Sequence, residues 1–177
     1  GRGRRERSGQ KRAVGAEESD RRTDKAVGDR RKDGSVQMEK EVQKTILRVR
    51  YAETDAMKYA WHGNYFIWFE VARTDLLKIA GMTYREMEEM GIMLPLVECG
   101  CKFKQAARYD DELEIRTTVE HLTPARITFK YEVFRTEDDK QLAEGMTSHA
   151  FMSNDYRAVN LKKVKPGIYE LLEEFVG

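Results

Sequence analysis

The sequence predicts an α+β fold in which one antiparallel five-stranded sheet packs against a single long, apolar helix. Three observations lead to this prediction. One strand-like segment precedes the helix, and four follow it. The four later segments alternate between apolar and polar residues and are joined by short turns, which suits antiparallel neighbours. The long helix must then cover one face of the sheet.

The first strand is predicted over residues 45–51, where apolar residues alternate with arginines. The long helix begins near Asn64, because apolar residues then recur at steps of three and four. Its first half is apolar on nearly all sides, so we expect other structure to surround it. Gly81 is a suitable stop, and a short amphipathic helix is predicted over residues 84–90.

The later strands are predicted from their two-residue period over residues 97–104, 113–120, 127–133 and 142–153. A C-terminal helix is predicted over residues 166–175, with Pro166 in its first turn. A single sheet with one covered face leaves its other face and its edges exposed. Pairing between subunits is the expected solution.

Composition divides the chain into two parts. Residues 1–37 carry 12 Lys and Arg against 7 Asp and Glu, and they contain no aromatic residue and no Leu, Ile or Met. Such a segment cannot bury enough apolar surface to offset its ordering entropy. We interpret it as a disordered basic extension or an expression-derived tail, with the folded domain spanning 38–177. A basic arm that binds nucleic acid is the alternative.

The part of the chain after residue 37 favours a cytoplasmic protein. It has no apolar run near the roughly 20 residues that a membrane helix requires. Its two cysteines, Cys99 and Cys101, would lie about 6.6 Å apart on one strand face, which is near the limit for a disulfide. With three histidines in the chain, a zinc site is not expected. We therefore predict reduced core cysteines and no metal or other cofactor.

Residues 51–65 concentrate reactive side chains between the first strand and the long helix. Asp55 is a candidate acid or base, with Tyr51 four residues before it and His62 seven after it. Gly63 and the start of the helix would supply unpaired N–H groups that polarise a carbonyl. A carboxylate there can activate water. The alternative for Asp55 is a structural role in a turn or helix cap.

The same region resembles the 4-hydroxybenzoyl-CoA thioesterase-like family of hotdog-fold proteins, and within it the acyl-CoA thioesterases associated with the Tol–Pal system. The markers are Tyr51-x-x-Thr-Asp55, His62-x-Asn64-Tyr65, Glu70-x-Ala72-Arg73, the stretch 107–113 and the stretch 142–152. The resemblance covers about residues 44–165. One departure is the sequence Asp55-Ala-Met-Lys58, because family members often carry glycine at the last of these positions.

The resemblance implies hydrolysis of short-chain or aromatic acyl-CoA with Asp55 as the essential carboxylate. Whether Asp55 is nucleophile or general base stays open. It implies helper roles for His62 and Tyr51, although His62 also suits a capping role and Tyr51 a core position. Oxyanion or substrate contacts are expected from Gly63, Asn64 and Tyr65, although a helix cap is the favoured role for Asn64 and a core position the favoured one for Tyr65.

The remaining polar residues are predicted to act in packing, subunit contacts or phosphate binding rather than in the reaction itself. Glu70 and Arg73 are expected to form an ion pair or a subunit contact, and His149 is expected to be structural. The candidates for binding CoA phosphates are Arg108, Arg126, Arg157, Lys162 and Lys163.

The expected partners are an acyl-CoA substrate and further copies of the chain, in dimers or tetramers whose active sites lie at subunit interfaces. An acyl carrier protein is a possible partner, and nucleic acid is not expected. Two other functions stay open: a non-catalytic module that binds acyl groups or acyl carrier protein, and another hotdog enzyme such as a dehydratase.

Overall fold

A computed structural model describes residues 42–177. The extension predicted for residues 1–37 lies outside the described residues. The strands are β1 (Gln43–Arg48), β2 (Ile92–Met93), β3 (Leu96–Phe103), β4 (Glu112–Thr123), β5 (Arg126–Arg135), β6 (Lys140–Ala150) and β7 (Met152–Ser153). The helices are α1 (Gly63–Ile79), α2 (Tyr84–Glu89), α3 (Leu161–Val164) and α4 (Pro166–Glu173), and a 3-10 turn spans Tyr51–Glu53.

Five strands form one antiparallel sheet in the order β1-β4-β5-β6-β3. The alternating apolar residues of β4 and β5 are buried, as their two-residue period predicts. Strand β1 lies at one edge of the sheet, and β3, which follows α1 in the chain, pairs with β6 at the opposite edge. The chain therefore crosses one face of the sheet through α1. The predicted α+β architecture, the hotdog fold, is therefore confirmed.

The long helix packs on the sheet through an aromatic contact at its centre. Phe69 of α1 stacks on Tyr131 of β5, with ring centroids 4.4 Å apart and planes 9° apart. The ring also lies directly over Gly145 of β6, where an added Cβ would come within 2.6 Å of it. Glycine at this position therefore lets the helix approach the sheet closely. The helix ends as predicted, since Gly81 follows it with φ of 84°.

The last part of the chain forms more and shorter elements than the sequence predicts. The predicted strand 142–153 stops at Ala150, and β7 pairs instead with β2 in a separate two-stranded sheet. The break occurs at buried Phe151, whose N–H donates to the carbonyl of Ala125 at 3.0 Å rather than to a neighbouring strand. Helix α3, which begins with an Asn160 cap, was not expected from the apolar pattern.

Apolar surface stays exposed along β3 and one side of α1. The alternation in β3 predicts a buried face, but this strand is an edge, and Val97 and Phe103 are about half exposed. Cys99 is also exposed, so its predicted core position is wrong, although both cysteines are free thiols. On α1, Ile67 and Val71 are exposed. Within one chain, therefore, the helix is not surrounded on all sides as expected.

Candidate active site

The loop that carries Asp55 is a tight, internally bonded hairpin. A backbone bridge joins Thr54 to Ala60, and within it the Asp55 N–H donates to the carbonyl of Tyr59 at 2.9 Å. The N–H of Lys58 donates in turn to the carbonyl of Asp55 at 2.9 Å. Lys58 has φ of 64°, a left-handed conformation that glycine adopts without strain. The loop thus keeps a glycine-like backbone at the position where a lysine replaces the family's glycine.

The carboxylate of Asp55 is half-buried and held from one side. Its Oδ1 accepts a hydrogen bond of 2.8 Å from the N–H of Met57. Its Oδ2 has no hydrogen-bond partner among residues 42–177 and is thus available to a substrate or water. Asp55 lines a cavity of about 370 Å³ together with His62, Tyr65, Phe103 and Gln105. That volume lies in the range of small-molecule sites, roughly 300–1,000 Å³.

The start of α1 opens on the same cavity. The N–H groups of Asn64 and Tyr65 donate to the carbonyls of Trp61 and His62, at 2.9 and 3.3 Å. The N–H of Gly63 has no acceptor within residues 42–177, so it is a free donor at the positive end of the helix dipole. A side chain at Gly63 would overlap the ring of Trp61.

The side chain of Asn64 has a different role from the predicted cap. It is buried and donates from Nδ2 to the carbonyl of Glu53 at 2.7 Å, while His62 is the N-cap residue. The predicted alternative of a capping Asn64 is therefore wrong. The bond ties the first turn of α1 to the 3-10 turn that precedes Asp55.

Glu53 is the residue that joins these segments, and the sequence patterns did not identify it. Its buried carboxylate accepts hydrogen bonds from the Arg50 N–H at 2.7 Å, the Arg50 guanidinium at 2.8 Å and the Trp68 indole at 3.1 Å. Its carbonyl accepts from the Trp61 N–H at 2.8 Å. Burial alone would raise the pKa of Glu53, but these bonds hold the pKa below its ordinary value.

The far wall of the cavity comes from Tyr65 and the segment that follows β3. Tyr65 is buried, and burial raises the pKa of its phenol to about 12, so it is neutral at physiological pH. Its ring makes an edge contact with Phe103 at 4.9 Å. Residues 103–106 complete this wall, and sequence reasoning missed them because nothing in a strand end indicates that it faces a distant loop.

The two predicted helpers lie in different places. His62 is exposed beside the ring of Trp61 and lines the cavity, but it makes no hydrogen bond to Asp55. Tyr51 lies in the 3-10 turn, is 78% exposed and packs edge-on against Tyr109 at 5.6 Å. It neither lines the cavity nor occupies the core. The structure therefore places Asp55, His62 and Tyr65 around one cavity, whereas Gly63 is not part of its lining and Tyr51 lies outside it.

Within residues 42–177 no group of histidine, cysteine or carboxylate side chains is arranged to hold a metal ion. The same residues include no helix long and apolar enough to span a membrane.

Comparisons with known proteins agree with this fold. The chain belongs to the thioesterase-like superfamily, whose family model matches residues 49–172. It is 28% identical over 134 residues to the putative acyl-CoA thioesterase YneP of Bacillus subtilis, covering 75% of this chain and 96% of that protein.

Two solved structures are also similar. The DHNA-CoA thioesterase of Staphylococcus aureus has a TM-score of 0.71 and 32% identity, covering 75% of this chain and 89% of that one. The hypothetical protein TT1821 of Thermus thermophilus has a TM-score of 0.70 and 35% identity, covering 75% and 98%.

Proposed function

We propose that this chain hydrolyses the thioester of short-chain or aromatic acyl-CoA to a free acid and CoA. The observation that carries the proposal is that Asp55 lines one cavity with His62, the residue before the free N–H of Gly63, in a member of the thioesterase-like superfamily. A carboxylate and a preorganised N–H donor are the two groups that acyl transfer to water requires.

The reaction would proceed with the thioester carbonyl directed at the Gly63 N–H. Asp55 then acts by one of two routes. As a general base, its carboxylate takes a proton from water, and the resulting hydroxide attacks the carbonyl carbon. As a nucleophile, it attacks that carbon itself, forms a mixed anhydride and is released by water. In both routes the carbon–sulfur bond breaks and the thiolate of CoA leaves, to be protonated by water or by His62.

Among the cationic candidates for CoA phosphates, Arg108 is the one beside this cavity. Its guanidinium lies 5.3 Å from the ring centroid of Tyr59, which lines the cavity. Arg108 is exposed and suited to phosphate at the rim. Tyr51 is not needed in this scheme.

The proposal includes self-association in the cytoplasm. Helix α1 and the edge strand β3 both expose large apolar residues, and monomers rarely leave an apolar edge strand uncovered. Phe103 belongs both to this edge and to the cavity, so pairing of β3 with a second copy would complete the site. Dimers that assemble further are expected.

The test is release of free thiol from a panel of acetyl-, butyryl-, hexanoyl-, benzoyl- and 4-hydroxybenzoyl-CoA, with the same acyl groups on an acyl carrier protein. Turnover of CoA thioesters supports the proposal, and the rates reveal the acyl preference. Hydrolysis restricted to carrier-protein thioesters would mean that the substrate is an acyl-carrier-protein thioester rather than an acyl-CoA. No thiol release from any of them would favour a non-catalytic binding module, and hydration of an enoyl-CoA would favour a dehydratase.

A further inference from the structure

Glu53 contacts both segments that the proposed reaction uses, the Asp55 loop and the start of α1. It is the last residue of the 3-10 turn, two residues before Asp55, and only 5% of it is exposed. The hydrogen bonds that hold it come from residues of the same chain. A second copy of the chain is therefore not needed to complete this arrangement.

The main-chain carbonyl of Glu53 holds the start of α1 on both sides of Gly63. It accepts hydrogen bonds from the N–H of Trp61 at 2.8 Å and from Nδ2 of Asn64 at 2.7 Å. A carbonyl oxygen has two lone pairs, so both are used here. The Gly63 N–H, which is the oxyanion donor in the proposed reaction, lies in the chain between these two anchored residues. Its position is thus tied to Glu53.

The carboxylate of Glu53 joins the same helix to the residue that precedes the 3-10 turn. It accepts from the indole of Trp68, in the second turn of α1, at 3.1 Å. It also accepts from the backbone N–H of Arg50, the N-cap of the 3-10 turn, at 2.7 Å. Hydrogen bonds to an ionised acceptor are stronger than neutral ones. The side chain therefore fixes the 3-10 turn against α1.

The Asp55 loop has little freedom to move independently of Glu53. Thr54, the residue between them, forms a backbone bridge with Ala60. The hydroxyl of Thr54 also donates to the carbonyl of Tyr51, at the other end of the 3-10 turn, at 2.8 Å. A displacement of Glu53 is consequently passed on to the Asp55 carboxylate as well as to the start of α1.

We propose that Glu53 is a positioning residue of the hydrolysis, which fixes the Asp55 carboxylate relative to the Gly63 N–H. This inference rests on the proposed function. Glu53 does not line the Asp55 cavity, so it acts through these two groups rather than on the substrate. A misplacement of reacting groups by about 1 Å can lower a rate by about 100-fold. Because the geometry matters in the transition state, its loss should lower kcat rather than raise KM.

Two variants break the two kinds of contact. Glu53→Gln alters the carboxylate, and Asn64→Leu removes the donor to the Glu53 carbonyl while keeping a side chain of similar length. With the acyl-CoA that the wild type hydrolyses best, we expect kcat to fall by at least about tenfold in each variant. The KM, and the Kd of the S-alkyl-CoA thioether with the same carbon chain, should stay within about twofold of the wild type.

Leu172→Ala controls for a loss of stability without a change in the site. Leu172 is buried in α4 and does not line the Asp55 cavity, and truncating a buried leucine lowers the free energy of unfolding. At a temperature where all variants are folded, it should keep the wild-type kcat. The indole N–H signal of Trp68 in NMR gives a readout without activity. It should move upfield in Glu53→Gln, where a neutral acceptor replaces the carboxylate, and stay in place in Leu172→Ala.

The outcomes separate this inference from the proposed function. A wild-type chain that releases thiol from no acyl thioester overturns the proposed function and the positioning role with it. Wild-type turnover with an unchanged kcat in folded Glu53→Gln and Asn64→Leu overturns the positioning role alone. A rise in KM without a fall in kcat does so as well, because Glu53 would then shape the substrate cavity. An equal fall of kcat in Leu172→Ala also overturns it, because the rate would then follow stability.

Discussion

Replacing Glu53 by Gln tests how the candidate site is held together. Glu53 lies between the first strand and the Asp55 loop, and its carboxylate connects Arg50 with Trp68. Glutamine has the same shape but replaces one acceptor oxygen by an NH₂ group. If its carbonyl keeps the guanidinium and indole bonds, the NH₂ group must face the N–H of Arg50, and two donors then oppose each other.

The expected cost follows from these three bonds. A hydrogen bond to a charged group contributes about 1.5–3 kcal/mol, so losing the backbone bond alone costs about that much. The side chain of Arg50 is 74% exposed, so weakening its ion pair adds at most about 1 kcal/mol. We therefore expect Glu53→Gln to lower the free energy of unfolding by roughly 2–4 kcal/mol.

Urea denaturation at fixed protein concentration measures this cost, and Glu86→Gln is the matched control. Glu86 also accepts the N–H three residues before it, from Thr83 at 2.7 Å, but it is exposed. The control should therefore lose clearly less stability. Equal losses in the two variants would refute the reasoning, because burial of Glu53 would then make no difference.

The loss of unfolding free energy in Glu53→Gln should also depend on pH. The pKa of Glu53 is depressed in the folded protein from an ordinary value of 4.5. Its contribution is therefore complete above the unfolded pKa and is lost as the pH falls through the folded pKa. The difference between wild type and Glu53→Gln should narrow on acidification below pH 4.5. A difference that stays constant down to the folded pKa would contradict the role given to the ionised carboxylate.

Two further substitutions test backbone features of the fold, both by urea denaturation. Lys58→Gly should leave the free energy of unfolding unchanged or raise it by up to about 1 kcal/mol, because relief of left-handed strain exceeds the entropy cost of glycine. The neighbouring Met57→Gly is the control. A loss of stability in Lys58→Gly as large as that in Met57→Gly would contradict this expectation. Gly145→Ala should cost about 1–3 kcal/mol, because its Cβ would lie 2.5 Å from the Phe69 ring and 3.0 Å from the carbonyl of Gly100. Gly100→Ala, whose Cβ would meet nothing nearer than 3.9 Å, is the control and should cost less.

Local periodicity predicted most of the fold because most of the strands and α1 bury one face within a single chain. Helix α1 begins one residue before Asn64 and ends before Gly81, as the apolar steps indicate. The pattern failed for β3, where alternation is present but no layer of the same chain covers the strand. An apolar strand at a sheet edge has the same sequence signature as a buried one. Only the three-dimensional order β1-β4-β5-β6-β3 reveals the difference.

The candidate site was predictable only where its residues are neighbours in sequence. Asp55 and His62 are seven residues apart in the chain, and both line one cavity. Tyr51 was placed with them by spacing, but the 3-10 turn directs it outward. Glu53 was overlooked because its importance comes from contacts with Trp68, 15 residues later.

Catalysis by Asp55 is tested by measuring kcat/KM of Asp55→Asn and of Asp155→Asn toward the acyl-CoA that the wild type hydrolyses best. Asp155 is an exposed turn residue that does not line the Asp55 cavity, and it controls for the loss of one negative charge. We expect kcat/KM to fall by about 100-fold or more in Asp55→Asn, with its fold intact, and to stay at the wild-type value in Asp155→Asn. A folded Asp55→Asn protein that hydrolyses acyl-CoA as fast as wild type would contradict it.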